Sequence, residues 1–240
     1  MIEVEGLNAG YGKAQVLYDV RFSASSKTIT VIVGPNGSGK STLLKTIMGL
    51  TTVYSGTVRF NGNDVSKLQP HERARIGMAY IPQLRSVFTE LSVRENLIMA
   101  GYTLNKEEFH DRLDMAIGMF SMLERFFDRK VKTLSGGERQ MLAMAMSLIR
   151  RPKLMMFDEP TGNLAPNIAA MILDKIVELR DKLGLTVILV EQSAKKALEI
   201  GEKAYLLVNG RVAFEGNAGD LLRNPEIGRI YLGIRPKPAR

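Results

Sequence analysis

The chain has no cysteine at all. That excludes disulfide bridges, thiolate metal sites and a catalytic thiol, and it fits a reducing compartment. Histidine is nearly as scarce, with only His71 and His110. A lone histidine is a poor basis for a metal site, so both are read as solvated side chains. Long apolar runs are missing too: no stretch reaches the roughly 18 residues that a membrane span needs. The opening "MIEVEGLNAGYG" has neither the basic nor the apolar region of a secretory leader, so none is expected. Internal repeats, coiled-coil heptads and low-complexity linkers are also absent.

What is present is the composition of an ordinary globular protein of 240 residues, 45% hydrophobic and 24% charged. That length fits one large domain, or a core with one insertion. The 33 basic residues against 25 acidic ones give a net charge of +8. Such a surplus suits nucleic acid, an anionic membrane face or an acidic nucleotide. The basic residues are spread along the chain apart from a terminal "RPKPAR", so nucleic acid is not the expected partner.

Short β-branched runs alternate with helical patterns, which predicts an α/β fold with a largely parallel sheet. "TITVIV" (28–33) runs into glycines and then a helix. "GMAYIPQ" (77–83), "KLMMFDEP" (153–160) and "LTVILVEQ" (185–192) read as buried strands that end in polar residues. "GTVRFNG" (56–62) reads as an antiparallel strand closed by an Asn-Gly turn, and "AYLLVNGRVAFEG" (204–216) as a hairpin turning at Asn209-Gly210. From 91 to 148 no strand is predicted. Phe109, Leu113, Ile117 and Phe120 make an apolar helical stripe there, so the span reads as a helical insertion with Met115, Met119 and Met122 as core filler.

Two motifs carry chemistry. "GPNGSGKS" matches the phosphate-loop pattern between a strand and a helix, the context it requires. Gly37 and Gly39 let the backbone curl so that its N–H groups face phosphate oxygens. Lys40 brings a mobile positive charge to the β- and γ-phosphates, the Ser41 hydroxyl is a Mg²⁺ ligand, and Thr42 is placed to reach the α-phosphate. Gly34, Pro35, Asn36, Gly37, Ser38, Gly39, Lys40, Ser41 and Thr42 are therefore the nucleotide-binding candidates. The second motif is "LMMFDEP", a buried strand from whose carboxyl end Asp158 emerges, where ligands of open α/β sheets bind. Asp158 is the metal carboxylate, and Glu159 is free to polarise a water for attack on the γ-phosphate.

A third stretch raises a question of its own. "LSGGERQ" (134–140) places a glycine pair at the start of a helix that carries Met141, Leu142, Met144, Ala145 and Leu148 at helical spacing. A helix start with exposed N–H groups is a second anion cradle. Its position ahead of "LMMFDEP" resembles the ATP-binding subunits of ABC transporters, over nearly the whole chain. The resemblance implies a P-loop NTPase (RecA-like) core with a mostly parallel sheet, an antiparallel β subdomain and a helical insertion. Mapped onto residues, 1–240 form a single ATP-binding domain, with core segments 1–88 and 149–240 and a helical subdomain 89–148. The cofactors implied are ATP and Mg²⁺. In that family the second cradle faces the nucleotide of another subunit, so Ser135, Gly136 and Gly137 are expected to touch a partner's γ-phosphate. Tyr11 in "GYGK" resembles the aromatic residue that stacks on adenine. Gln83 in "YIPQ" resembles the glutamine that reaches Mg²⁺ and the attacking water.

Two positions depart from the family pattern. Gly162-Asn163-Leu164-Ala165, followed by Pro166, stands where S-A-L-D is usual. Gln192 stands where a switch histidine is usual; its amide can still reach a γ-phosphate but carries no charge and relays no proton. Glu159 is therefore the preferred base, with Gln83 and Gln192 as its catalytic company. "GYGK", "HERARIGMAYIPQ", "LVEQ" and the C-terminal "NPEIGRIYLG" further resemble the ATPases of branched-chain amino acid uptake systems, in particular the second of their two paired subunits. That branch commonly has Glu where this chain has Gln83.

The partners implied are a second ATPase subunit of the same or a sister type, two polytopic membrane permeases and, indirectly, a solute-binding protein. The location implied is peripheral, on the cytoplasmic face of the cell membrane. Two alternatives stay open: an ATPase of the lipopolysaccharide-export type, and a non-transport ATPase of this fold acting on nucleic acid. Co-occurrence of Lys40, Asp158 and Glu159 speaks against a non-catalytic nucleotide-binding module.

Overall fold

The computed structural model describes residues 1–84, 86–192 and 194–224. The basic "RPKPAR" lies outside the described residues, as does "NPEIGRIYLG" apart from Asn224.

Six strands form the central sheet. In chain order they are β3 (Ile29–Val33), β6 (Met78–Ile81), β7 (Leu154–Asp158), β8 (Thr186–Val190), β9 (Lys203–Val208) and β10 (Arg211–Asn217). Their spatial order is β10-β9-β3-β8-β7-β6, parallel throughout except for the edge hairpin β9–β10. Every residue of β3, β7 and β8 is buried, which explains why these strands read as continuous apolar runs and not as alternating ones. Successive residues still serve two different cores. Val31, Met155, Phe157, Val187 and Leu189 face one, while Ile32, Leu154, Met156, Ile188 and Val190 face the other.

The second of these cores lies between the central sheet and a smaller antiparallel sheet. That sheet contains β1 (Ile2–Tyr11), β2 (Ala14–Ala24), β4 (Thr52–Phe60) and β5 (Asn63–Asp64) in the order β2-β1-β4-β5. Helix α1 (Lys40–Ile47) is held between the two sheets through Leu43, Leu44 and Ile47. Arg73, 1% exposed on α2 (Pro70–Arg75), donates to the Thr46 and Ile47 carbonyls at the end of α1 at 3.0 and 2.7 Å. Burial pushes this guanidinium below its ordinary range, and the α1 carbonyls are the compensation a buried cation needs.

The antiparallel sheet is longer than its sequence signal. The predicted strand at 56–62 begins four residues earlier, at Thr52, and ends in the expected turn, with Asn61 and Gly62 at φ 52° and 81°. The hairpin β1–β2 carries no clean alternation because its register slips three times, between Val4 and Gly10. Asn209 and Gly210, at φ 48° and 74°, make the second Asn-Gly hairpin.

The first core is completed by helices. Between β6 and β7 come α3 (Val93–Ala100), α4 (Lys106–Met119), two 3₁₀ turns and α5 (Gly136–Ile149), and after β7 come α6 (Pro166–Leu183) and α7 (Ala194–Ile200). A last helix, α8 (Ala218–Arg223), follows β10. No named strand occurs among the described residues of 91–148, as expected. Ile117 and Phe120 are buried there, and Phe109, Leu113, Met115, Met119 and Met122 pack against the same core. His71 and His110 are both exposed, and the His110 ring Nδ1 lies 2.6 Å from the Lys106 carbonyl. No described helix is long and apolar enough to cross a membrane.

Candidate functional site

β3 drives the chain to the carboxyl edge of the sheet, where residues 34–39 turn it into α1. Gly39 occupies the N-cap of α1 at φ 102°, with a Leu17 methyl 2.8 Å from where a Cβ would stand. Only glycine meets both demands. The loop is braced from within by Ser38 N–H on the Pro35 carbonyl at 3.2 Å, and from the β9–β10 turn by Gly210 N–H on the Ser38 carbonyl at 2.9 Å. Ser38 itself is buried, and its hydroxyl has no protein partner. The outcome is a hydrogen-bonded ring of backbone at a helix N-terminus.

Lys40 lies inside this ring, 4% exposed, donating to the Gly34 and Pro35 carbonyls at 3.0 Å each. Burial pushes its ammonium below the usual lysine range, while Glu159 and then Asp158 pull it back up. A buried cation satisfied only by two carbonyls is suited to a polyanion.

Asp158, at the end of β7, receives two hydroxyls. Ser41 Oγ donates to its Oδ1 at 2.7 Å and Tyr80 Oη to its Oδ2 at 2.8 Å. Burial, then the Asp158 charge, holds the Tyr80 phenol far above its ordinary range, so it is a donor at any working pH. The next residue leaves the strand abruptly: Glu159 has φ 50°, and its N–H bonds the Val190 carbonyl at 2.9 Å. Its carboxylate accepts from Gln83 Nε2 at 3.0 Å.

Lys40, Ser41, Thr42, Gln83, Glu159 and Gln192 converge, with Asn36, Gly37 and Gly39, on one open cavity of about 600 Å³. Of its lining residues, Val16 alone lies outside the candidates read from the sequence. Among the described residues no cluster of three or more His, Asp or Glu could hold a metal alone. Ser41 and Asp158 nevertheless offer a hard-oxygen pair beside the phosphate loop. That fits Mg²⁺, which takes one or two carboxylates and draws its other ligands from phosphates and water. Tyr11 does not line this cavity; it ends β1, nearly half exposed, and Val16 is the side chain that reaches the wall from the same sheet.

Ser135, Gly136 and Gly137 lie elsewhere. Ser135 is the N-cap of α5, with Glu138 N–H on its Oγ at 3.3 Å and its own N–H on Glu138 Oε2 at 2.7 Å. Ser135 is exposed. A Cβ on Gly136 would come 2.8 Å from Leu164 Cδ2, and one on Gly137 2.4 Å from Ile168 Cγ2. The pair therefore has a reason within this chain as well: it lets α5 start against the 162–168 segment. Gly136 lines a second cavity of about 420 Å³, in which Gln83 and Glu159 also take part. Gly162 is less constrained: a Cβ there would lie 3.1 Å from Gln83 Nε2, the end of a flexible side chain, and 3.2 Å from the Glu159 carbonyl.

Tyr80 and Glu191 also serve the site, although no sequence motif marks either of them. Tyr80 pairs with Met156 across β6 and β7, which places it on the face that carries Asp158 two residues on. Glu191, 2% exposed at the end of β8, accepts from Thr161 N–H at 3.0 Å and so ties the segment after Glu159 to the residue before Gln192. Burial raises its carboxyl above the usual value, and the Glu159 charge adds to that, against the lowering effect of the Thr161 hydrogen bonds.

Residues 17–162 match a family model described as "ABC transporter". A probable branched-chain amino acid transport ATP-binding protein LivF of Archaeoglobus fulgidus is 52% identical, over 98% of this chain and 99% of its own length. The high-affinity branched-chain amino acid transport ATP-binding protein BraG of Pseudomonas aeruginosa is 38% identical, over 97% of this chain and 100% of its own. Among solved structures, the dimeric post-hydrolysis state of the ATP-binding cassette MJ0796, bound to ADP and Pi, superposes with a TM-score of 0.78 at 26% identity. It covers 93% of this chain and 100% of that one.

Proposed function

The chain belongs to the ABC transporter family, and from that premise we propose that it is the ATP-hydrolysing motor subunit of an importer for branched-chain or related amino acids. The observation that carries the catalytic half is the convergence of Lys40, Ser41, Gln83 and Glu159 on one cavity beside Asp158. The substrate half is supported by the names of the two relatives, which share the chain almost end to end.

ATP binds with its phosphates in the ring of residues 34–39 and its β- and γ-phosphates on Lys40. Ser41 and Asp158 would hold Mg²⁺, which when bound would supply positive charge against that building on the phosphate oxygens. Glu159 accepts a proton from the water that attacks the γ-phosphorus, and ADP leaves with the freed oxygen. Gln83, already on Glu159 Oε2, orients that carboxylate and the water. Gln192, which lines the same cavity, donates its amide to the γ-phosphate.

Ser135–Gly137 complete the site of a second subunit, a copy of this chain or a sister ATPase, that closes head to tail upon it. The Ser135 Oγ–H and the first N–H groups of α5 then face the partner's γ-phosphate, because Ser135 uses its oxygen only as an acceptor for the cap. Segment 89–148 acts as the helical subdomain that meets two membrane permeases at the cytoplasmic face, and closure drives them between inward- and outward-facing states.

The test is reconstitution in vesicles with two permeases and a solute-binding protein. ATP hydrolysis should rise severalfold when the binding protein carries leucine, isoleucine or valine, with uptake of the same amino acid. Hydrolysis indifferent to all three would sink the substrate reading while leaving the ATPase reading intact.

A further inference from the structure

We propose that Tyr80 is a positioning residue for the metal carboxylate: its hydroxyl holds Asp158 Oδ2 so that Oδ1 stays with Ser41. The two oxygen ligands then form one preset pair. The geometry is specific. Tyr80 Oη lies 2.8 Å from Oδ2, and Ser41 Oγ 2.7 Å from Oδ1. Asp158 is 4% exposed, so water does not replace a lost donor readily. The Tyr80 ring packs against the second core from a strand in register with β7, which fixes where the hydroxyl can be.

Remove that hydroxyl, and Asp158 keeps one side-chain donor and can rotate about its Cβ–Cγ bond. The oxygen that faces the metal is then no longer decided before binding. Outer partners of metal ligands commonly control affinity in this way, by about 10- to 100-fold. The proposal rests on the reading of Ser41 and Asp158 as Mg²⁺ ligands beside ATP.

Tyr80→Phe keeps the ring and deletes only the hydroxyl. Mn²⁺ serves as the probe, titrated into the ATP-loaded full chain and followed by electron paramagnetic resonance of the bound ion. Mn²⁺ affinity should fall about 10- to 100-fold, while binding of a fluorescent ATP analogue in EDTA stays within twofold of the wild-type protein. A merely structural role would move both affinities and the melting temperature together. Mn²⁺ affinity within twofold of wild type would overturn the proposal. Asp158→Asn and Ser41→Ala separate the two ideas. If they weaken Mn²⁺ binding and Tyr80→Phe does not, only the role of Tyr80 is wrong. If Asp158→Asn also leaves Mn²⁺ affinity unchanged, the metal reading falls with it.

Discussion

Replacing Ser135 by aspartate separates what this residue does inside its own chain from what it does for a partner. Inside the chain it caps α5 through its Oγ and Glu138 N–H. Asp, Asn and Ser are near-equal N-caps, so Ser135→Asp and its neutral isostere Ser135→Asn should fold as well as the wild type. Ser135→Ala should lose about 1 kcal/mol, a melting-temperature drop of roughly 2–4 °C for a chain of this size. Towards a partner the ranking reverses. A carboxylate about 4 Å from a γ-phosphate charge, at an effective dielectric of about 20, costs about 4 kcal/mol, or roughly a thousandfold in rate or closure. The assays are a thermal melt, a monomer titration with labelled ATP, and steady-state hydrolysis. Ser135→Asp should melt within about 2 °C of wild type and bind ATP normally at residues 34–42, yet lose about three decades of turnover. Ser135→Asn, of the same shape, should be far less damaged. Hydrolysis by Ser135→Asp within about threefold of wild type would refute the claim that this helix start meets a phosphate.

Three further outcomes are expected. Glu159→Gln keeps an acceptor for Gln83 Nε2 but no basic oxygen, so hydrolysis should fall about 10²- to 10⁴-fold with ATP binding retained; turnover within about threefold would remove Glu159 as the base. Glu191→Gln should stabilise the fold in a pH-dependent way. The raised carboxyl binds its proton more tightly folded than unfolded, so the wild type loses stability as pH climbs from the ordinary value of 4.5 towards the raised one, and a glutamine does not. The melting gain of the variant should be near zero at about pH 4 and grow towards neutrality; an equal gain at both ends would contradict this. Ala165 is the N-cap of α6 and offers no side-chain acceptor, so Ala165→Asp should add about 1 kcal/mol, read as a melting temperature higher by roughly 2–4 °C.

The site was legible where chemistry fixes spacing. Residues 34–42 and Asp158-Glu159 announce themselves because the phosphate-loop pattern and an acidic pair each stand at the end of a buried strand. Tyr80 was not legible, since its role depends on β6 lying beside β7, a pairing made across the helical segment between them. The glycine pair at 136–137 reads in the sequence as an anion cradle, while its packing role is not marked there. Its second reason, Leu164 and Ile168, comes from a segment after β7. The β1–β2 hairpin escaped because its register slips break the alternation that marks a strand. Gln192 is on the cavity wall, in the place of a switch histidine, and no imidazole is among the described residues lining that cavity; the proposed mechanism therefore gives the proton chemistry to Glu159.

The division of the site between two chains is tested most directly by the mass of the Glu159→Gln protein in solution, measured by light scattering with ATP, with ADP and without nucleotide. Alone or mixed with its sister subunit, the protein should have the mass of two chains with ATP and of one chain otherwise. Adding Ser135→Asp to every subunit present, at the matching position in the sister, should return the ATP-bound sample to one chain. A single-chain mass at saturating ATP in both settings, or a two-chain mass that ignores the nucleotide, would contradict it.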